Sequence, residues 1–365
     1  MERSATTARP RPTMRDVARA AGVSPMTVSY AYSQPERVSA EAAARVHEAA
    51  RQLGYPGPHP AARSLRRGRA GSLGVVLGER LSYAFDDPQA ARFLAGVSDV
   101  CAAEGVGLTL VPITGAPSDA QRVAQAAVDG FVVWTTSDDD PVLDAVAATG
   151  LPAVVHAGPH GRDMPVIGID DRAAAAAIGR LAFARARRPL VLGFPLDRHR
   201  ERRLLTGDEQ VAVRFPVTRH RWEGFRDAWT RAGHSPARLR LAVCPVNHIT
   251  EGQTFTSELL RGSDPPDAIA AMSDELALGA LQAAANAGRH VPGDLTVTGW
   301  DDSDAAASAG LTTLAQSLRE QGAQCARAAL GRPAGTAVQH GWRIVVRTTA
   351  GSAGSPPESR PADPG

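Results

Sequence analysis

Between Thr13 and Gly54 the apolar residues Val17, Ala21, Val23 and Val28, then Ala42, Val46, Ala49 and Leu53, fall at the three- and four-residue spacings of a helix face. The polar residues between them punctuate helices. Thr13, with Asp16 three residues on, caps a first helix that Gly22 ends; Ser24 caps a second that starts with Pro25; Ser39 caps a third that runs to Gly54. The pattern predicts three short helices around one small core. From residue 71 to about 347 it changes to short β-type runs alternating with longer helical segments: 73–77, 107–112, 130–135, 153–156, 166–169, 189–194, 239–243, 268–272, 295–300 and 341–346. Such alternation predicts parallel strands joined by crossover helices. Some ten strands exceed one comfortable doubly wound sheet, so two α/β lobes are expected, with a ligand cleft between them at the strand C-termini.

The remaining stretches frame these two regions. Residues 1–12 and 350–365 show no period and are expected to be disordered. Residues 57–70, rich in Pro, Gly and Arg, form a joint between a helical head at 13–56 and the body at 71–349.

Composition sharpens this division. At 365 residues and 43% hydrophobic content, the chain has material for more than one folded unit. All 40 basic side chains are arginine, which rules out lysine Schiff-base chemistry, pyridoxal-phosphate attachment and a phosphate-loop lysine. GC-rich coding accounts for the missing lysine. The formal charge of +2 hides an asymmetry. Residues 1–70 carry 12 Arg against five acidic side chains, the rest 28 against 33. A basic head on an acidic body points to a polyanionic partner for the head, the alternative being a solvated basic tail. Three scattered cysteines fit a reducing cytoplasm, and neither an export signal nor an apolar run of about 18 residues is present, so the chain is expected inside the cell and off the membrane.

The strongest local signal is M-R-D-V-A-R-A-A-G-V-S-P-M-T-V-S at residues 14–29. Gly22 permits a tight turn and Ser24 starts the next helix, as a helix-turn-helix requires; an ordinary pair of packed helices is the plainer reading. On the second helix Pro25, Met26 and Tyr30 are expected to face base edges, with Thr27 and Ser29 placed for phosphates.

These residues, followed by R-V-S-A-E at 37–41, L-G-Y at 53–55 and A-R-S-L at 62–65, resemble the DNA-binding head of lactose-repressor-type (LacI/GalR family) regulators. The resemblance continues in D-G-F-V-V at 129–133, R-W-E-G-F at 221–225, S-D-E-L-A-L-G-A-L at 273–281, V-P-G-D-L-T-V-T-G-W-D-D at 291–302 and L-T-T-L at 311–314. It implies an all-α helix-turn-helix head plus a periplasmic-binding-protein-like α/β body of two doubly wound lobes, linked by three crossovers. It also implies that the body dimerises and binds a small effector. Arg37, Ala62, Arg63 and Leu65 join the DNA-contacting set: residues 57–70 would include a short hinge helix, with His59 as cap and Pro60 in its first turn, whose Leu65 wedges into the minor groove. Arg221 and Asp301 would bind effector hydroxyls; on their residue type alone, a surface ion pair and a helix cap are the alternatives. Three departures matter. Tyr30 and Ser33 replace the common arginine and asparagine, so the operator should differ from the usual half-site. Tyr83, Phe85, Asp86 and Asp87 occupy a loop that helps line the effector site in relatives, offering an aromatic face with acidic neighbours there or a mere surface turn. Ser273 stands where many sugar-responsive members have asparagine.

Enzyme templates fail. There is no G-x-S-x-G, no H-E-x-x-H and no G-x-G-x-x-G after a strand, so no catalytic residues and no cofactor are expected. Asp138, Asp139 and Asp140 present either a metal ligand set or a solvated loop, and no metal is expected. The expectation is a nucleoid-associated, homodimeric (or tetrameric) repressor that binds double-stranded operator DNA under control of a sugar or related polar metabolite. The competing readings are a solute-binding protein without DNA function, and a corepressor-dependent regulator or activator with a nucleoside-like effector.

Overall fold

A computed structural model describes residues 12–57, 68–78, 85, 87–160, 163–332 and 337–350. The chain divides into two compact units, one ending at Ala70 and the other beginning at Gly71.

The first unit is a three-helix head: α1 (Met14–Ala21), α2 (Pro25–Ser33) and α3 (Ala40–Leu53), with a 3-10 turn at Pro35–Arg37. Each α-helix starts where a hydroxyl satisfies a backbone N–H that the helix leaves unpaired. Thr13 and Asp16 form a reciprocal capping box, Ser24 accepts from the Thr27 N–H at 3.0 Å, and Ser39 accepts from that of Ala42 at 3.3 Å. Gly22 and Gly54 end α1 and α3 in the left-handed conformation, at φ 65° in both cases. Val17, Val28 and Val46 are fully buried at the centre, whereas Leu53, the last helical residue, is 39% exposed.

The second unit is the body. Its elements are β1 (Ser72–Leu77), α4 (Pro88–Glu104), β2 (Gly107–Pro112), α5 (Asp119–Gln125), β3 (Phe131–Trp134), α6 (Pro141–Ala148), β4 (Ala153–His156), β5 (Val166–Gly168), α7 (Asp171–Ala182), β6 (Pro189–Gly193), β7 (Arg203–Thr206), α8 (Pro216–Arg231), β8 (Arg240–Val243), α9 (Ile249–Arg261), β9 (Ala268–Ala271), α10 (Asp274–Asn286), β10 (Thr296–Trp300), α11 (Asp304–Ser308), β11 (Thr312–Ala315), α12 (Leu318–Ala329), β12 (Ala337–Gln339) and β13 (Arg343–Val345). One six-stranded sheet runs β12-β5-β4-β3-β1-β2 with every pairing parallel. A seven-stranded sheet runs β13-β11-β10-β9-β6-β8-β7, with antiparallel pairing only at its two edges.

Each sheet is covered on both faces, which is why its strands are apolar at successive positions. In β1, Leu73, Val75 and Leu77 join α4 and α12 in one core, while Val76 joins α5 and α6 in another. The second sheet is sandwiched between α7 and α8 on one face and α9 and α10 on the other. The chain passes between lobes three times: from β5 to α7, from β11 to α12, and from β12 to β13. Among the described residues no helix is long and apolar enough to cross a membrane.

Candidate functional site

In the head, α2 presents Pro25 and Met26 outward; Met26 is 61% exposed and Thr27 is half-buried beside its Ser24 partner. The Arg37 guanidinium lies over the Tyr30 ring at 5.7 Å, so a cation and an aromatic plane share one face of the head. Ser29 falls elsewhere. It is buried at 8% exposure because its position on α2 turns with Val28 toward the core, so it is not offered to a phosphate.

In the body, the strand C-termini of both lobes meet around a cavity of about 110 Å³. The first lobe contributes Trp134 at the end of β3, Thr135 and Thr136 after it, His156 at the end of β4, and Asp87 and Gln89 at the start of α4. The second contributes Phe194 after β6, Asn247 after β8, Asp301 after β10, and Phe215, Thr218 and Arg221 on or beside α8. Ile169 and Gln316 come from the crossovers. Thr135, Ala157 and Asp301 line the cavity with positive φ angles of 53°, 47° and 112°, a concentration of backbone strain found where a binding site over-determines its geometry.

Arg221 is seated by the spacing R-x-x-G-F. A Cβ on Gly224 would stand 2.3 Å from the Arg172 carbonyl oxygen, so only glycine lets α8 lie this close to α7. One turn earlier on α8, Arg221 donates from Nε to Asp171 Oδ1 at 2.7 Å and from Nη1 to the Met272 carbonyl at 2.6 Å, with its guanidinium 3.9 Å from the Trp300 ring centroid. Asp301 accepts from Gln316 Nε2 at 2.8 Å, while its neighbour Asp302 turns away to Arg347. Burial lifts the Asp301 carboxyl well above the usual carboxylate range, against the pull of Arg221.

The Asp301 contact is one link in a chain of hydrogen bonds that crosses between lobes. Gln321 Nε2 donates to Gln316 Oε1 at 3.2 Å, and His156 Nε2 lies 2.8 Å from Gln321 Oε1. Burial depresses the His156 pKa to about 4, so the imidazole is neutral near pH 7: Nε2 carries the proton given to Gln321, and Nδ1 is left as a buried acceptor without a partner among the described residues. Every donor in the chain points toward Asp301. α12 can deliver Gln321 here because a Cβ on Gly322 would meet the Phe93 carbonyl at 2.2 Å, which holds α12 hard against α4.

The depressed His156 pKa has a consequence for stability. The folded state binds fewer protons than the unfolded state, so this contribution is complete above about pH 6.5 and lost as pH falls toward 4. Replacing His156 by glutamine is expected to remove on the order of 3 kcal/mol of the stability loss over that window. Unfolding midpoints of variant and wild type at pH 4 and 7 check this; equal pH dependence would contradict it.

Comparison with known proteins places these features. Residues 13–57 match the family described as "Bacterial regulatory proteins, lacI family", and residues 197–350 match a periplasmic binding protein-like domain. The HTH-type transcriptional regulator Rv3575c of Mycobacterium tuberculosis is 38% identical over 321 residues, covering 87% of this chain and 89% of that protein. The chain belongs to the lacI family of bacterial regulatory proteins. Among solved structures, a LacI-family transcriptional regulator of Corynebacterium glutamicum is 29% identical with a TM-score of 0.70, covering 94% of this chain and 100% of that one. A complex of the regulator CelR with cellobiose is 25% identical with a TM-score of 0.63, covering 93% and 100%. As a lacI-family member, this chain is a DNA-binding transcriptional regulator whose periplasmic-binding-protein-like body is an effector-binding domain.

Of the residues named from sequence, Arg221 and Asp301 meet in the cavity, although Arg221 spends Nε and Nη1 on protein partners rather than holding a free fork toward a ligand. Ser273 does not line it. It caps α10 and donates to Asn247 Oδ1 at 2.5 Å, so Asn247, bridging on to Asp87 Oδ2 at 3.3 Å, is the residue that reaches the cavity. Phe85 is 65% exposed and outside the lining. Tyr83, Asp86, Ala62, Arg63 and Leu65 lie outside the described residues, as does most of the expected hinge helix. Trp134, His156, Phe194, Asn247 and Gln316 also line the cavity; the sequence signal for Trp134, His156 and Phe194 is their place at the C-terminal ends of predicted strands, whereas Asn247 lies in the loop beyond one and Gln316 follows a strand that the apolar pattern does not show.

Proposed function

We propose that this lacI-family regulator is a homodimeric repressor of the cell interior, and that a small neutral polyhydroxylated effector, a sugar or close relative, sets its operator affinity from the body cavity. The carrying observation is the chemistry of that cavity. Two buried acceptors, an Asp301 carboxyl oxygen and His156 Nδ1, call for hydroxyl donors, and Trp134, Phe194 and Phe215 supply apolar surface for the faces of a ring. An anion finds little support there, because Asp301 and Asp87 stand in the wall and the main cation is already paired. The cellobiose bound by CelR, a relative of the same fold, agrees with a carbohydrate. The cavity holds a ligand rather than turning one over, and closure of the lobes around it shifts the head between states of different operator affinity.

Thermal denaturation of the purified chain against neutral sugars, polyols and nucleosides tests this. A ligand that binds only the folded body adds about 2.7 kcal/mol at 100 times its Kd, so a true effector raises the midpoint by several degrees. Flat midpoints for all neutral sugars and polyols, with a rise for an anionic metabolite, would overturn the carbohydrate assignment.

A further inference from the structure

The three consecutive aspartates after β3 form neither a metal site nor a free loop: each meets an arginine of the other lobe. Arg219 donates to both oxygens of Asp138, the longer contact at 3.3 Å; Arg198 pairs with Asp140; and Arg214 Nη1 lies 3.7 Å from Asp139 Oδ2. The backbone joins in, with the Asp138 N–H donating to the Arg214 carbonyl at 3.1 Å. The three pairs are graded in burial. The Asp140 side chain is 1% exposed, Asp138 and Arg219 are about one-third exposed, and Asp139 and Arg214 are more than half exposed.

Their position gives these contacts a use. Thr135 and Thr136, just before the aspartates, line the cavity from the first lobe; residues 215–218, bracketed by Arg214 and Arg219, line it from the second. We propose that Asp138 and Asp140, with Arg198, Arg214 and Arg219, are positioning residues that clasp the wall at 215–218 onto the wall at 135–136 and so set how readily the effector cavity closes. Its bearing on effector affinity rests on the proposed function; the clasp itself is a property of the body alone. Because its outer pairs are partly exposed, salt screens them and loosens the closed form, while the buried Asp140 pair is screened less.

Hydrogen exchange on the intact chain without ligand tests the clasp, since the Asp138 amide is itself bonded across the cleft. In a variant combining Arg198→Gln and Arg219→Gln, peptides covering 136–140 and 212–218 should exchange about tenfold faster, with β1 unchanged. Arg219→Asp alone should do the same, and adding Asp138→Arg to it should restore slow exchange, which a merely structural role of either residue would not. Unchanged exchange in the double glutamine variant, or no rescue by the reversed pair, overturns the proposal. Should the variants also lose protection in β1, the wild-type chain in about 0.05 M and 0.5 M NaCl gives the same comparison: faster exchange in the two segments at high salt supports the clasp, and equal rates overturn it. Failure of the effector reading shows separately, as an absence of ligand-induced thermal shift.

Discussion

Replacing Arg221 by alanine is expected to lower the unfolding free energy of the body by about 3–5 kcal/mol, the cost of breaking a buried charge pair from one side. The side chain is 8% exposed, and its removal strands Asp171 without its 2.7 Å partner, deprives Asp301 of its compensating charge, and leaves the Met272 carbonyl without its donor. It also strips a planar cation from the Trp300 face, so Arg221→Lys should recover only part of the loss. All five tryptophans lie beyond residue 71, so denaturation followed by tryptophan fluorescence reads the body alone. A loss below about 1 kcal/mol would show that the pair does not hold the cavity wall.

Asp301→Asn is expected to pull stability and function in opposite directions. Burial raises the Asp301 pKa above its unfolded value, so the folded state holds this proton more tightly than the unfolded state does. The contribution therefore stabilises at acid pH and is lost as pH rises from the ordinary carboxylate value toward the raised one, leaving a cost at neutral pH. Asparagine removes that cost, keeps a carbonyl oxygen for Gln316, and tolerates the positive φ at this position, so the variant should unfold at a higher midpoint at pH 7 and with a flatter acid dependence. Its effector affinity should fall by about tenfold, the worth of a hydrogen bond of about 1.5 kcal/mol. Calorimetric titration and melting at pH 4 and 7 read both effects. Unchanged affinity would remove Asp301 from the binding set.

Much of the architecture was legible because it is local. Helix caps at Thr13, Ser24 and Ser39 and apolar runs buried on both faces announce themselves within a few residues. Three strands were missed for equally local reasons: Arg203–Thr206 is an antiparallel edge, Ala337–Gln339 is a three-residue edge, and Thr312–Ala315 is half polar. The Thr312 and Thr313 hydroxyls are buried yet bonded to the Arg347 carbonyl and the Asp274 carboxylate, partners far along the chain. The site was legible only where a motif carried it. Arg221 and Asp301 came with theirs, whereas the His156–Gln321 link in the bridge to Asp301 spans 165 residues and the partners of Asp138 and Asp140 lie 81 and 58 residues away. Ser273 shows the limit of motif transfer. A residue in the expected place can cap a helix and act through its neighbour Asn247.

The coupling of cavity to operator is tested most directly by a fluorescence anisotropy titration of the intact chain on an operator selected from random DNA, with and without a saturating sugar identified by thermal shift. The sugar is expected to weaken operator binding by about 5- to 150-fold in the wild type, and at the same sugar concentration the Asp301→Asn chain, with operator affinity of its own intact, should show little or none of that change. Equal operator affinity in the presence and absence of a sugar that demonstrably occupies the cavity would contradict it.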